Sequence, residues 1–119
     1  MSSLQFHIER LSGLLQKEIQ TVIAQELRDP RIPPVVTVTQ VKLAQDTRNA
    51  TVFVSVYGDN KAQNDAVAAL NKAAPFIQRI VAGRITTKHF PRLYFKLDKS
   101  IEHSQHINEL LKDIKNDLE

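Results

Sequence analysis

Leu70-Asn71-Lys72-Ala73-Ala74-Pro75-Phe76-Ile77-Gln78-Arg79-Ile80-Val81 reads as helix on both sides of a proline. A helical pattern runs to about Ala73, and beyond Pro75 it resumes with Phe76, Ile77, Ile80, Val81 and Ile85 as its apolar residues. Proline is comfortable in the first turn of a helix and costs about 3 kcal/mol in its interior. The stretch is therefore expected to form two helices that meet at a kink over Ala73, Ala74 and Pro75, with the first beginning near Asn60. Asn60 and Gln63 are spaced much like a capping box at that start.

Upstream of this pair the pattern changes period. Ala50, Val52, Val54 and Val56 alternate with Thr51, Phe53, Ser55 and Tyr57, as in a strand with two different faces. Val35 to Leu43 is rich in Val and Thr, and its imperfect alternation suggests a bulge or a strand buried on both sides. The polar run Gln45-Asp46-Thr47-Arg48-Asn49 joins the two as an antiparallel hairpin. Earlier still, Leu4, Ile8, Leu11, Leu15, Ile19, Val22, Ile23 and Leu27 form the apolar stripe of a long helix, which Asp29-Pro30 stops.

Downstream, Phe90-Pro91 leads into a third strand. Leu93, Phe95 and Leu97 point one way, and Arg92, Tyr94 and Lys96 the other. Ser100 is placed to cap a C-terminal helix carrying Ile101, Ile107, Leu110, Leu111, Ile114 and Leu118. The order helix, strand, strand, helix, kink, helix, strand, helix predicts an α+β sandwich, with a three-stranded sheet and its helices on one face.

The 119 residues suffice for one domain with a real core. The absence of cysteine excludes disulfides, thiolate metal sites and a cysteine nucleophile. It suits a reducing cytoplasm, which is the expected location. No secretory signal and no run of about 20 apolar residues is present, so no membrane partner is expected.

Charge is distributed unevenly. Between Asp65 and Asp98 there is no acidic residue, while Lys72, Arg79, Arg84, Lys88, Arg92 and Lys96 all fall in that window. These six cations stand against a net charge of +3 for the whole chain, so the remainder is −3. An asymmetry of this kind points to a polyanion such as RNA. Arg92 and Lys96 flank Tyr94 on one strand face, an arrangement that suits phosphate contacts beside a stacking ring. A protein–protein module whose basic face meets an acidic partner is the alternative.

Catalysis has little support. Gly13, Gly58 and Gly83 are too scattered for a phosphate-cradling loop, and neither GxSxG nor GK[ST] occurs. Asp98, Glu102, His103 and His106 could be read as metal ligands of a small hydrolase. Solvated groups at a helix start explain them more simply. No catalytic residue, no cofactor and no metal is expected.

Several pieces are recognisable in order: Asp29-Pro30-Arg31, Val36-Thr37-Val38-Thr39-Gln40-Val41, Asp46, and Ala50 to Ser55. Leu70, Ala73, Phe76-Ile77 and Pro91-Leu93-Phe95-Asp98-Ser100 complete the set. In this order and spacing the chain resembles the bacterial ribosome-binding factor A family along nearly its whole length. The resemblance implies a type II KH-like fold over residues 1–98, with 99–119 as a C-terminal helical extension. It also implies a non-enzymatic factor, monomeric when free, that binds the 30S small ribosomal subunit. Late maturation and processing of 16S rRNA, including at low temperature, are the implied roles. The RNA-binding residues are then expected to be Lys72, Arg79, Arg84, Lys88, Arg92, Tyr94 and Lys96. The family's helices meet at Ala-x-Gly, where this chain has Ala73-Ala74-Pro75. Gln78 and Lys88 stand where arginine is common.

Overall fold

The alternation around Ala50 to Val56 is the backbone of the fold. In the computed structural model, which describes residues 3–27, 30, 32 and 36–100, this segment is the central strand of a three-stranded sheet. In chain order the elements are α1 (Ser3–Glu26), β1 (Val36–Leu43), β2 (Asn49–Val56), α2 (Asn60–Ala82) and β3 (Arg92–Leu97). The sheet order is β1-β2-β3, with β1 antiparallel and β3 parallel to β2. A parallel neighbour requires a long crossover, and α2 supplies it.

Every buried strand residue faces the two helices. Val36, Val38, Val41 and Leu43 come from β1, Ala50, Val52, Val54 and Val56 from β2, and Leu93 and Phe95 from β3. They meet Leu11, Leu15, Ile19, Val22 and Ile23 of α1 and Ala66, Leu70, Ala74, Ile77 and Val81 of α2 in one core. Each large aliphatic side chain buried there contributes about 1.5–3 kcal/mol. The stripe of α1 starts later than its period suggests, since Ile8 packs on the core while Leu4 is 55% exposed.

The imperfect alternation of β1 is a bulge. The register shifts between Val38 and Gln40, leaving Thr39 as the extra residue. Val36 and Val38 face inward before it, Val41 and Leu43 after it, so one inserted residue restores the apolar face.

Two local expectations are corrected. The helix pair expected around Pro75 is one element, α2, with Pro75 inside it. Proline removes a single hydrogen bond to the carbonyl four residues back, and here Asn71 and Pro75 are both on the exposed side. Ala74 and Ile77 stay buried and carry the helix past the defect. The helix is also capped by Asp59 instead of Asn60. Its carboxylate accepts from the Ala62 amide at 2.8 Å, while Gln63 Nε2 donates to the Val56 and Gly58 carbonyls. Gly58 makes the preceding turn with φ of 139°, and a Cβ there would sit 3.0 Å from that of Ala62.

Helix carboxamides satisfy part of each outer edge of the sheet. Along β1, Gln20 accepts from the Val38 amide at 2.7 Å and donates to the Val36 carbonyl at 2.9 Å. Gln16, one turn earlier on α1, donates to the Val38 carbonyl at 3.2 Å. Along β3, Asn71 accepts from the Phe95 amide at 2.8 Å and donates to its carbonyl at 3.0 Å. Gln78, two turns further along α2, accepts from the Leu93 amide at 3.1 Å. Backbone groups that would otherwise invite another strand are thus satisfied within the chain.

After β3, the Asp98 side chain accepts from the Ser100 amide at 2.9 Å, so Asp98 takes the capping position expected for Ser100. The expected C-terminal helix lies outside the described residues beyond Ser100, as do Glu102, His103 and His106. Asp29 and Arg31 lie outside them too.

Candidate nucleic-acid interface

The acid-free window folds into three separate places. Lys72 and Arg79 are seven residues apart on α2, two turns and about 10 Å along its axis, so they share a face. Both are exposed, on the side away from Leu70 and Ile77, with Pro75 between them. Pro75 shares this solvent-facing stripe with the two cations.

Arg84 goes elsewhere. Just past α2 it reaches α1, with guanidinium nitrogens 3.7 Å from both Glu18 and Glu26. These half-exposed pairs link Arg84 to α1, a contact its neighbours in sequence do not announce. The missing signal was distance along the chain, since Glu18 and Glu26 lie more than fifty residues earlier. Lys88 is exposed on the connector between α2 and β3.

The third place is the sheet face opposite the helices. Arg92, Tyr94 and Lys96 project from β3 and are exposed, and Arg92 lies over the Tyr94 ring, 5.4 Å from its centroid. Strand pairing adds neighbours that were not singled out from sequence. Tyr94 is level with Thr51 of β2, which pairs with Lys42 of β1. Lys96 is level with Phe53, which pairs with Gln40. Lys42 is exposed and Phe53 half-buried, so this face carries three cations and two aromatic rings. No strand residue on it is acidic. The alternation of β2 announced Phe53, but its place beside Lys96 depends on the parallel register.

Asp98 closes the far end of that face, where its carboxylate accepts from the Thr39 hydroxyl of the bulge. Thr39 also reaches the Phe53 carbonyl at 3.3 Å. The bulge therefore locks β1 to the exit of β3 across the central strand. Among the described residues, no group of three or more His, Asp or Glu side chains is placed to hold a metal. No described helix is long and apolar enough to cross a membrane.

Comparison with known proteins agrees with this architecture. The family described as Ribosome-binding factor A matches residues 7–111. Ribosome-binding factor A of Thermomicrobium roseum is 47% identical over 105 residues, covering 88% of this chain and 81% of that protein. The Halothermothrix orenii protein of the same name is 43% identical over 110 residues, covering 92% of this chain and 89% of its own. The crystal structure of ribosome-binding factor A from Thermus thermophilus superimposes with a TM-score of 0.67 at 28% identity, over 76% of this chain and 93% of that one. A homology model of the Thermus thermophilus factor, fitted into a cryo-EM map of a 30S complex, gives a TM-score of 0.63 at 27% identity over the same shares. With a family match over most of its length and relatives this similar, the chain belongs to the ribosome-binding factor A family.

Proposed function

We propose that the protein is a cytoplasmic, non-enzymatic assembly factor that binds the free 30S ribosomal subunit. It contacts 16S rRNA and supports that RNA's late maturation and processing, including at low temperature. Residues 1–98 form the RNA-binding unit and 99–119 an extension, and the free protein is a monomer that needs no cofactor. The observation that carries this reading is the acid-free window. Its cations Lys72, Arg79, Lys88, Arg92 and Lys96 reach solvent on the outward stripe of α2, the following connector and the open sheet face. The fit of the Thermus thermophilus relative into a cryo-EM map of a 30S complex supports the same partner.

Co-sedimentation with purified small subunits across a salt series tests the reading, with large subunits alongside. If the five solvent-facing cations meet phosphates, log affinity falls against log salt with a slope of about −3.5 to −4.5. Selective small-subunit binding with such a slope is the expected result. Absence of binding, or equal binding to both subunits, overturns it.

A further inference from the structure

The open face of the sheet is more than a continuation of the basic patch. Helices cover one side of the sheet and no described element covers the other. On that bare side Phe53 and Tyr94 lie on adjacent strands and two residues apart in register. Strand spacing and rise set their Cα atoms about 8 Å from one another. Tyr94 is 41% exposed, and its row neighbour Thr51 is too small to cover the ring. Arg92 lies over the ring, 5.4 Å from its centroid. Lys42 and Lys96 stand on the outer strands to either side of the β2 residues Thr51 and Phe53.

A duplex would use the cations of such a surface and leave the rings idle, because its bases are already stacked. A polyacidic peptide would do the same, having no π-face or apolar side chain to set against the rings. Unpaired nucleotides use both, since each base offers a π-face and each phosphate a charge. We propose that this face binds single-stranded RNA, stacking bases on Tyr94 and Phe53 while Lys42, Arg92 and Lys96 hold the adjoining phosphates. The inference rests on the RNA-binding reading above and specifies the RNA: an unpaired segment on the sheet, distinct from whatever meets Lys72 and Arg79 on α2.

The test uses the full chain and fluorescence anisotropy with a twelve-nucleotide oligoribonucleotide, single-stranded or annealed to its complement. Tyr94→Ala is expected to weaken single-strand binding by about 5- to 150-fold, the range for losing one base–aromatic stack. Tyr94→Phe, which keeps the ring, should stay close to the unchanged protein. Duplex binding should change little in either variant. Lys42→Ala should lower the magnitude of the salt slope by about 1. Equal single-strand affinity for Tyr94→Ala and Tyr94→Phe overturns the proposal, as does equal weakening of single-strand and duplex binding. Displacement of the oligonucleotide by a polyglutamate peptide as readily as by unlabelled single strand overturns it as well. Small-subunit co-sedimentation is scored separately. If the unchanged protein sediments with 30S subunits while Tyr94→Ala binds the oligonucleotide normally, only the sheet-face proposal falls. If the oligonucleotide results hold but 30S binding is absent, only the assembly reading falls.

Discussion

Asn71 of α2 grips Phe95 of β3 by both backbone groups, donating to its carbonyl at 3.0 Å and accepting from its amide at 2.8 Å. The strand's other side is already paired with β2, so this one carboxamide does the work of a fourth strand at that position. Gln20 grips Val36 and Val38 at the opposite edge in the same way. Side chains thus satisfy backbone groups on both edges of a three-stranded sheet.

Removing either clamp leaves half-buried edge groups without partners. Asn71→Ala is expected to cost about 1–3 kcal/mol, measured by urea unfolding. Asn71→Asp keeps an acceptor for the Phe95 amide but sets a carboxylate against its carbonyl oxygen, and that repulsion offsets the retained bond, so its loss should be comparable. Gln20→Ala should cost a similar amount. Because the two act on opposite edges, their effects should add within about 0.5 kcal/mol in the double variant.

Arg84 is expected to behave differently from Arg79 despite their proximity in sequence. Arg84→Ala releases two half-exposed ion pairs at 3.7 Å and should cost less than about 1 kcal/mol, with the loss shrinking as salt is added. Arg79→Ala should leave thermal stability unchanged and weaken 30S binding, and Lys88→Ala should do the same. If Arg84→Ala weakens binding as much as Arg79→Ala at constant stability, the tether is not its main role.

Pro75 holds a position inside α2 where alanine is favoured by about 3 kcal/mol and glycine lies between the two. Thermal unfolding should therefore rank Pro75→Ala above Pro75→Gly, and both above the unchanged protein. A drop in stability on Pro75→Ala would show that the proline fits a bend the core requires. Small-subunit binding by the same variants reports whether the stripe of Lys72 and Arg79 depends on the proline between them.

Gly58 tests the turn that feeds α2. Its φ of 139° and the 3.0 Å approach to Ala62 make any side chain costly there. Gly58→Ala is expected to lower stability by about 1–3 kcal/mol in thermal or urea unfolding. Asp59→Ala, which removes only the cap, should cost about 1 kcal/mol.

The amino-acid sequence by itself determined what depends on near neighbours. Periods of 3.6 and 2 placed α1, β1, β2, α2 and β3, because a helix or strand must set its apolar residues on one side. The gap in acidic residues between Asp65 and Asp98 was equally visible, as were Tyr94, Arg92 and Lys96 on one face of β3. Only the tertiary structure decided the relations that join distant segments. That α2 continues through Pro75 reflects core packing of Ala74 and Ile77, which outweighs the local penalty of the proline. Folding brings Glu18 and Glu26 beside Arg84, a pairing that its near neighbours in sequence do not announce. Phe53 and Lys42 joined Tyr94 because the sheet register, a long-range property, sets which residues stand side by side. Charge and period are carried by single residues and their neighbours in sequence, whereas a surface is made of residues that only the folded backbone brings together.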